Sequence, residues 1–577
     1  MSDDPLALAS EFPAVTRADW LDAVGKVLKG ASLQDALVKR NHDGVAVHPL
    51  YTADERPAAQ MPELGGRNWD IRTAYDASDA IAANAAILED LECGATAITL
   101  GFGDGAPNSV DDLDSLLDGV FLDMAPVALE AGAAFRPAAE LLQALWERRG
   151  IAPEKALGAF NADPIGISAQ SIADAAELAR ETAAKYPGVT SIAVDTHRYH
   201  AAGGSEAQEV AAGLATGVAY LRAMEAVGLA PEAAARQIVF TLAADADLFL
   251  TIAKFRAFRR AWASVLAACG VAGPAPARIE AVTAWRMMTR TDPWVNILRT
   301  TAAAFAAGVA GADAILVRPF DAASKAPDGF SRRIARNIQI ILQEESGLGQ
   351  VIDPAAGSYA IERLTADLAD AAWAAFQAIE SAGGMAPALE SGFVQGEIAK
   401  ARAALEADVA TRRRGITGTS RFPNLDEPAL ARLASSAPPR LSEPFESLRA
   451  RGRSSVFLAT IGTQAQFGPR ATWAQNLFAA GGIEAITGPG GTEPAEIAAA
   501  FSESGARLAV LCGPDALYAD HLVPVAEALK AAGAARLCMA GDPGSHEEVC
   551  KRGGIDEFLF EGVNVLDALG RAWEAMS

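Results

Sequence analysis

The chain has 577 residues, too many for one ordinary domain, so two to four are expected. Hydrophobic residues make up 51% and charged residues 21%, which predicts a soluble protein with large buried cores. A formal net charge of -23 argues against a nucleic-acid or anionic-membrane surface, and five scattered cysteines without a CxxC pair argue against a disulfide framework.

The chain starts MSDDPLALASEF. That stretch is acidic and has no basic n-region, so no secretory leader is expected. Sparse cysteines and no leader predict a cytoplasmic protein, and no apolar run is long enough to span a bilayer. Residues 1–45 read as an arm with one helix near Arg17 to Lys29. Residues 46–400 alternate apolar runs with alanine-rich helical stretches. The runs are TAITLGF (96–102), GVFLDM (119–124), ALGAFNAD (156–163), SIAVDT (191–196), IVFTLAAD (238–245), RIEAVTAW (278–285), AILVRPF (314–320) and QVIDPAAGSYAIE (350–362). Uniformly apolar strands between helices imply a parallel sheet covered on both faces. Eight of them suggest a (β/α)₈ TIM barrel, with any chemistry at the carboxyl ends of the strands; an open parallel sheet would alternate in the same way. Residues 401–452 are rich in Pro, Ser and Arg and read as a linker that wraps a surface. Residues 453–577 read as five strands with interleaved helices, the first helix starting at Ala471. That predicts a flavodoxin-like doubly wound domain, with its ligand crevice beyond the carboxyl ends of the strands.

Three runs carry a resemblance. DPWVNILRTTAAAFAAGVAGADAILVRPFD (292–321) and FSRRIARNIQIILQEESGLGQVIDPAAGSYAIERLT (330–365) look like the second half of the barrel in the methylmalonyl-CoA mutase family, and RNWDIRTAY (67–75) resembles that family's segment entering the barrel. The resemblance covers nearly the whole chain. It implies a fold in which a corrin sits between the barrel and the C-terminal domain. It also implies carbon-skeleton rearrangement of an acyl-CoA with adenosylcobalamin, interconverting (R)-methylmalonyl-CoA and succinyl-CoA.

In that family the lower cobalt ligand is a histidine from an Asp-x-His-x-x-Gly loop. Here the equivalent loop is GTQAQFGPRA, with Gln464 at the Asp position and Gln466 at the His position, and no histidine lies between Phe457 and Gly482. A glutamine amide nitrogen has no free lone pair for a metal. The segments that cradle the cofactor tail correspond to VLCGPDAL (510–517), containing Cys512, and CMAGDPG (538–544), containing Ala540 and Gly541. Ala540 stands where a glycine is expected. The resemblance therefore implies a degenerate cobalamin-binding fold, with no metal and no cofactor held by this chain.

The barrel reads similarly. Leu64 and Gly65 lie where the family has a tyrosine. In DTHRYHAAGG (195–204), Arg198 takes the place of a substrate-contacting histidine and His197 that of a tyrosine. Asp195, His197, Arg198 and His200 could still form a polar site at a strand end, or simply fill a loop. Asn161 and Asp163 resemble a loop-shaping element of the family. Asp245 and Asp247 suit catalysis or helix capping. Arg332, Arg333 and Arg336 with Glu344 and Glu345 suggest a salt-bridged helix face. GPGGTEP (488–494) suggests a turn with an N-cap at Thr492, and His521 and His546 suggest surface positions.

Together these features imply a non-catalytic, stabilising subunit of a heterodimeric adenosylcobalamin-dependent mutase. A homologous, larger catalytic subunit would hold adenosylcobalamin and substrate. The alternatives are an active cobalamin-dependent acyl-CoA mutase on its own and a ligand-binding regulatory module of the partner.

Overall fold

A computed structural model of the chain describes residues 13, 15–57, 68–271, 276–428, 438–544 and 547–576. Leu64, Gly65, Arg67 and His546, named above, lie outside them. The arm carries a helix, Arg17–Leu28, with no buried residue. A two-stranded hairpin follows, β1 (Lys39–Arg40) and β2 (Ala46–Val47). Its turn residue Asp43 accepts a hydrogen bond from the Ala207 amide (3.3 Å), which anchors the arm to the N-terminus of helix Glu206–Ala226.

Eight parallel strands then close a barrel in chain order: β3 (Asp70–Asp76), β4 (Ala97–Gly101), β5 (Val127–Glu130), β6 (Gly158–Ala162), β7 (Val189–Asp195), β8 (Ile238–Ala244), β9 (Arg278–Thr283) and β10 (Ala314–Leu316), with β10 pairing back onto β3. Six of the expected runs contain or overlap these strands. GVFLDM instead forms turns, with Phe121 and Met124 exposed. QVIDPAAGSYAIE forms a loop that leads into helix Tyr359–Ser381. The strands that apolar runs did not mark are β3 and β5. The inner face of β3 is polar: Arg72 pairs with Glu280 of β9 (2.6 Å) inside the barrel. β5 has only four residues, directly behind Pro126.

The outer core lies between strands and helices. Phe240 of β8 packs against Phe258 (4.6 Å) and Trp262 (4.7 Å) of helix Leu248–Ala268. Helix Glu206–Ala226 reaches this cluster through Gly217, where an added Cβ would sit 2.7 Å from the Trp262 ring. Arg332 and Arg336 pair with Glu89 and Asp90 of helix Ala80–Glu92, and not with Glu344 or Glu345 of their own segment.

A second, separate sheet follows: β11 (Ser454–Thr460), β12 (Ile483–Thr487), β13 (Leu508–Cys512), β14 (Arg536–Ala540) and β15 (Glu557–Leu559). It is wholly parallel, in the order β12-β11-β13-β14-β15. Val409, Ile416, Phe445 and Leu448, from the segment between the sheets, belong to its core. Helix Pro494–Ser504 begins after Glu493, so Thr492 is not its N-cap. Among the described residues no helix is long and apolar enough to cross a membrane.

Gly217→Ala should destabilise the chain by about 1–3 kcal/mol through overpacking against Trp262. Urea denaturation followed by tryptophan fluorescence measures this.

Candidate functional site

The carboxyl ends of β5, β6, β7 and β10 bring polar side chains to one mouth of the barrel. Asp195 ends β7, and the short helix His197–Ala201 begins two residues later. That spacing folds His197 back onto Asp195, with Nδ1 2.5 Å from Oδ1. The ring then presents Nε2 to the Arg318 guanidinium, 3.5 Å away. Burial works against the Asp195 charge, but His197 and Arg198 hold its carboxyl below the usual range. Arg198 donates to Asp163 (2.5 Å), which also accepts from the Tyr220 hydroxyl (2.5 Å) and the Asp195 amide (3.2 Å). Glu130, at the end of β5, is pushed up by burial and then by Asp195. Asn161 has a left-handed backbone (φ 49) at a register shift in β6, and its Oδ1 is buried without a partner among the described residues.

Asp195, His197, Arg198 and Asn161 therefore share this mouth. His200 does not. One helical turn beyond His197 it points away and is fully buried against Asp245 (3.5 Å) and Glu206 (4.0 Å). Arg286 crosses the same space, donating to Asp245 (3.0 Å), Glu206 (3.1 Å) and the Gly204 carbonyl (2.9 Å). Burial works against the Asp245 charge, yet Arg286, His200 and Arg414 hold its carboxyl well below the ordinary range. Burial, with Arg286 and Lys254, pushes His200 down to about 4. Asp247 caps helix Leu248–Ala268 through the Leu250 amide. Asp245 is an ion-pair partner instead. A cleft of about 1290 Å³ opens beside this network, lined by Gly203, Arg286, Arg402, Glu446 and Trp573 among others.

In the second sheet the helix after β11 spans Gln464–Ala480, seven residues more at its N-terminus than expected. Gln464 and Gln466 are thus helical rather than part of an open loop. Gln466 Oε1 accepts from the Thr463 amide (2.9 Å) and hydroxyl (3.0 Å), forming a capping box. Gly462 pairs with Gly491, which pins this turn to the GPGG loop. At the ends of β13 and β14, Arg470 donates to the Gly513 carbonyl (2.5 Å) and to Asp515 (2.5 Å) and lies over the Tyr518 ring. The Tyr518 hydroxyl donates to the Ala540 carbonyl (2.9 Å). The Arg470 guanidinium sits 3.1 Å from where a Cβ on Gly541 would be. Cys512 is buried and its thiol is pushed up to about 12. Arg470 and Tyr518 thus lie across the ends of β13 and β14.

A family model described as methylmalonyl-CoA mutase matches residues 105–444. The chain belongs to the methylmalonyl-CoA mutase family. It is 44% identical to the methylmalonyl-CoA mutase small subunit of Streptomyces virginiae, covering 100% of this chain and 99% of that one. It is 36% identical to the small subunit of Propionibacterium freudenreichii subsp. shermanii, over 98% and 95% of the two chains. To the methylmalonyl-CoA mutase of Escherichia coli (strain K12) it is 29% identical, over 70% and 64%. Glu130, Arg286 and Tyr518 belong to none of the motifs that the sequence of this mutase-family chain displays. The sequence signal for the barrel pair was position alone: Glu130 and Arg318 stand at or just beyond strand ends.

Unfolded histidine takes up a proton near 6.5, whereas buried His200 resists until about 4. The unfolded chain therefore binds the extra proton in that window, and stability falls as the pH drops from 6.5 to 4, by about 3 kcal/mol. Urea melts across this range should show a flatter acid limb for His200→Gln than for the wild type.

Proposed function

We propose that the chain is a non-catalytic subunit of an adenosylcobalamin-dependent methylmalonyl-CoA mutase, docking on a homologous larger subunit that holds the cofactor and the substrate. The complex would interconvert (R)-methylmalonyl-CoA and succinyl-CoA in the cytoplasm. Full-length similarity to proteins named as small subunits supports the partner, and such a name presupposes a larger one. The strand order β12-β11-β13-β14-β15 supports a flavodoxin-like second domain of the cobalamin-binding kind.

The observation that carries this reading is the state of Gln466. The residue at the cobalt-ligand position spends its amide oxygen on a helix cap, and its amide nitrogen has no lone pair to offer. Behind it, Arg470 and Tyr518 occupy the ends of β13 and β14, where a nucleotide tail would have to enter. The residues present do not fit the corrinoid, and no step through it is assigned to this chain. Its contribution is then physical, as one half of an obligate interface.

Adenosylcobalamin titrated into the purified chain should leave the visible spectrum unchanged, with no corrinoid retained after desalting. The double variant Gln464→Asp, Gln466→His should behave the same way, because it leaves Arg470 and Tyr518 in place. Tight binding by the wild type would refute the proposal, and the chain would then need assay as a mutase in its own right.

A further inference from the structure

Two helices beside the seam where β10 closes onto β3 turn an apolar face outward. Helix Val295–Val309 follows β9, and helix Gly329–Ile340 follows β10. The first buries Ala303 and Ala307 on the side that packs on the barrel. Its opposite stripe, at helical spacing, reads Trp294, Leu298, Thr301, Ala302 and Phe305 and holds no charge. Trp294 is 58% exposed and Leu298 69%. On the second helix, Phe330 is 54% exposed. Phe320, between them in the chain, stacks on Trp294 (4.9 Å) and meets Phe330 edge-on (6.2 Å). The rings therefore form one continuous surface across both helices.

The charge of this face is as unusual as its apolarity. The chain carries 72 Asp and Glu residues, yet neither helix has one. Of their arginines, Arg299 reaches the Thr417 carbonyl, and Arg332 and Arg336 pair with Glu89 and Asp90. Arg333 is exposed, with no ion pair or hydrogen bond among the described residues. The other outer helices of the barrel differ. Helices Phe135–Arg148 and Ala169–Lys185 present Glu140, Glu147 and Asp174 to solvent. Helices Glu206–Ala226 and Leu248–Ala268 lie under helix Tyr359–Ser381.

Aromatic rings and arginine, with carboxylates excluded, are what the centre of a protein–protein interface is built from. A second copy of this chain does not complete the face. In a two-fold contact each face meets itself, and neither helix has a carboxylate to offer Arg333. The charge calls for a different protein, apolar at its centre, with an acidic group opposite Arg333.

We propose that the larger mutase subunit docks on this face of helices Val295–Val309 and Gly329–Ile340, packing on Trp294, Leu298 and Phe330 and pairing a carboxylate with Arg333. This rests on the docking role and gives it a place on the molecule.

Sedimentation velocity tests it, with the full-length chain mixed in equal amount with the larger methylmalonyl-CoA mutase subunit of the same organism. The wild-type mixture should sediment as a heterodimer. Arg333→Glu should weaken that association at least about tenfold, and Trp294→Ser at least as much. Ile167→Ser, at an exposed position beyond β6 on the opposite side of the barrel, should change nothing. Arg333→Glu decides the matter if Trp294→Ser does not fold, because the Arg333 side chain lies in solvent. A heterodimer unmoved by both substitutions would overturn this surface and leave the docking role standing. No heterodimer from the wild type would refute the docking role and this surface with it. Self-association of the wild-type chain alone, lost in Arg333→Glu, would make the face a contact between copies and overturn the choice of partner.

Discussion

The buried pair of Arg286 and Asp245 holds the parts of this molecule together. Asp245 directly follows β8, and Arg286 lies just beyond β9. The guanidinium also reaches Glu206, at the start of a long outer helix, and the Gly204 carbonyl. The Arg286 carbonyl accepts from the Leu441 amide (2.9 Å), so the same residue ties the barrel to the segment entering the second sheet. Taking two charges out of water is expensive. The cost is offset here because nearly every donor finds a carboxylate or carbonyl in a fixed position. Removing either partner would strand the other in a dry interior.

Around that pair the connecting segment behaves as structure rather than as tether. Arg440 and the Arg290 amide both engage Glu446 (2.8 Å and 2.6 Å). Thr419 meets Thr291 (2.5 Å), Arg299 donates to the Thr417 carbonyl (2.5 Å), and Arg421 approaches Glu561 (3.5 Å) in the second sheet. Its arginines Arg421 and Arg440 reach groups on either side of the segment.

The two candidate sites differ in kind. At the ends of β11, β13 and β14 the polar groups bind one another: Gln466 closes a helix, Arg470 binds the turn after β13, and Tyr518 spans β13 and β14. At the mouth of the barrel, by contrast, Arg318 and Glu130 are reached by solvent, and Asn161 Oδ1 is buried without a partner among the described residues.

Six of the eight barrel strands were legible from hydrophobic pattern alone, because a strand buried on both faces leaves an apolar run. β7 and β8 are examples. β3 escaped because a strand whose inner face carries an ion pair does not look apolar. The chemistry of Gln466 was equally plain from residue type, since no conformation gives a glutamine amide an imidazole's lone pair. Only the tertiary structure decided how DTHRYH divides between two sites. His197 and His200 are three residues apart, and one helical turn sends one to the open mouth and the other into a dry ion-pair network. Partners distant in the chain, Arg318 for His197 and both Asp245 and Arg286 for His200, set that choice. Spacing along a chain cannot encode it, because it depends on which strand ends the closure of the barrel brings side by side.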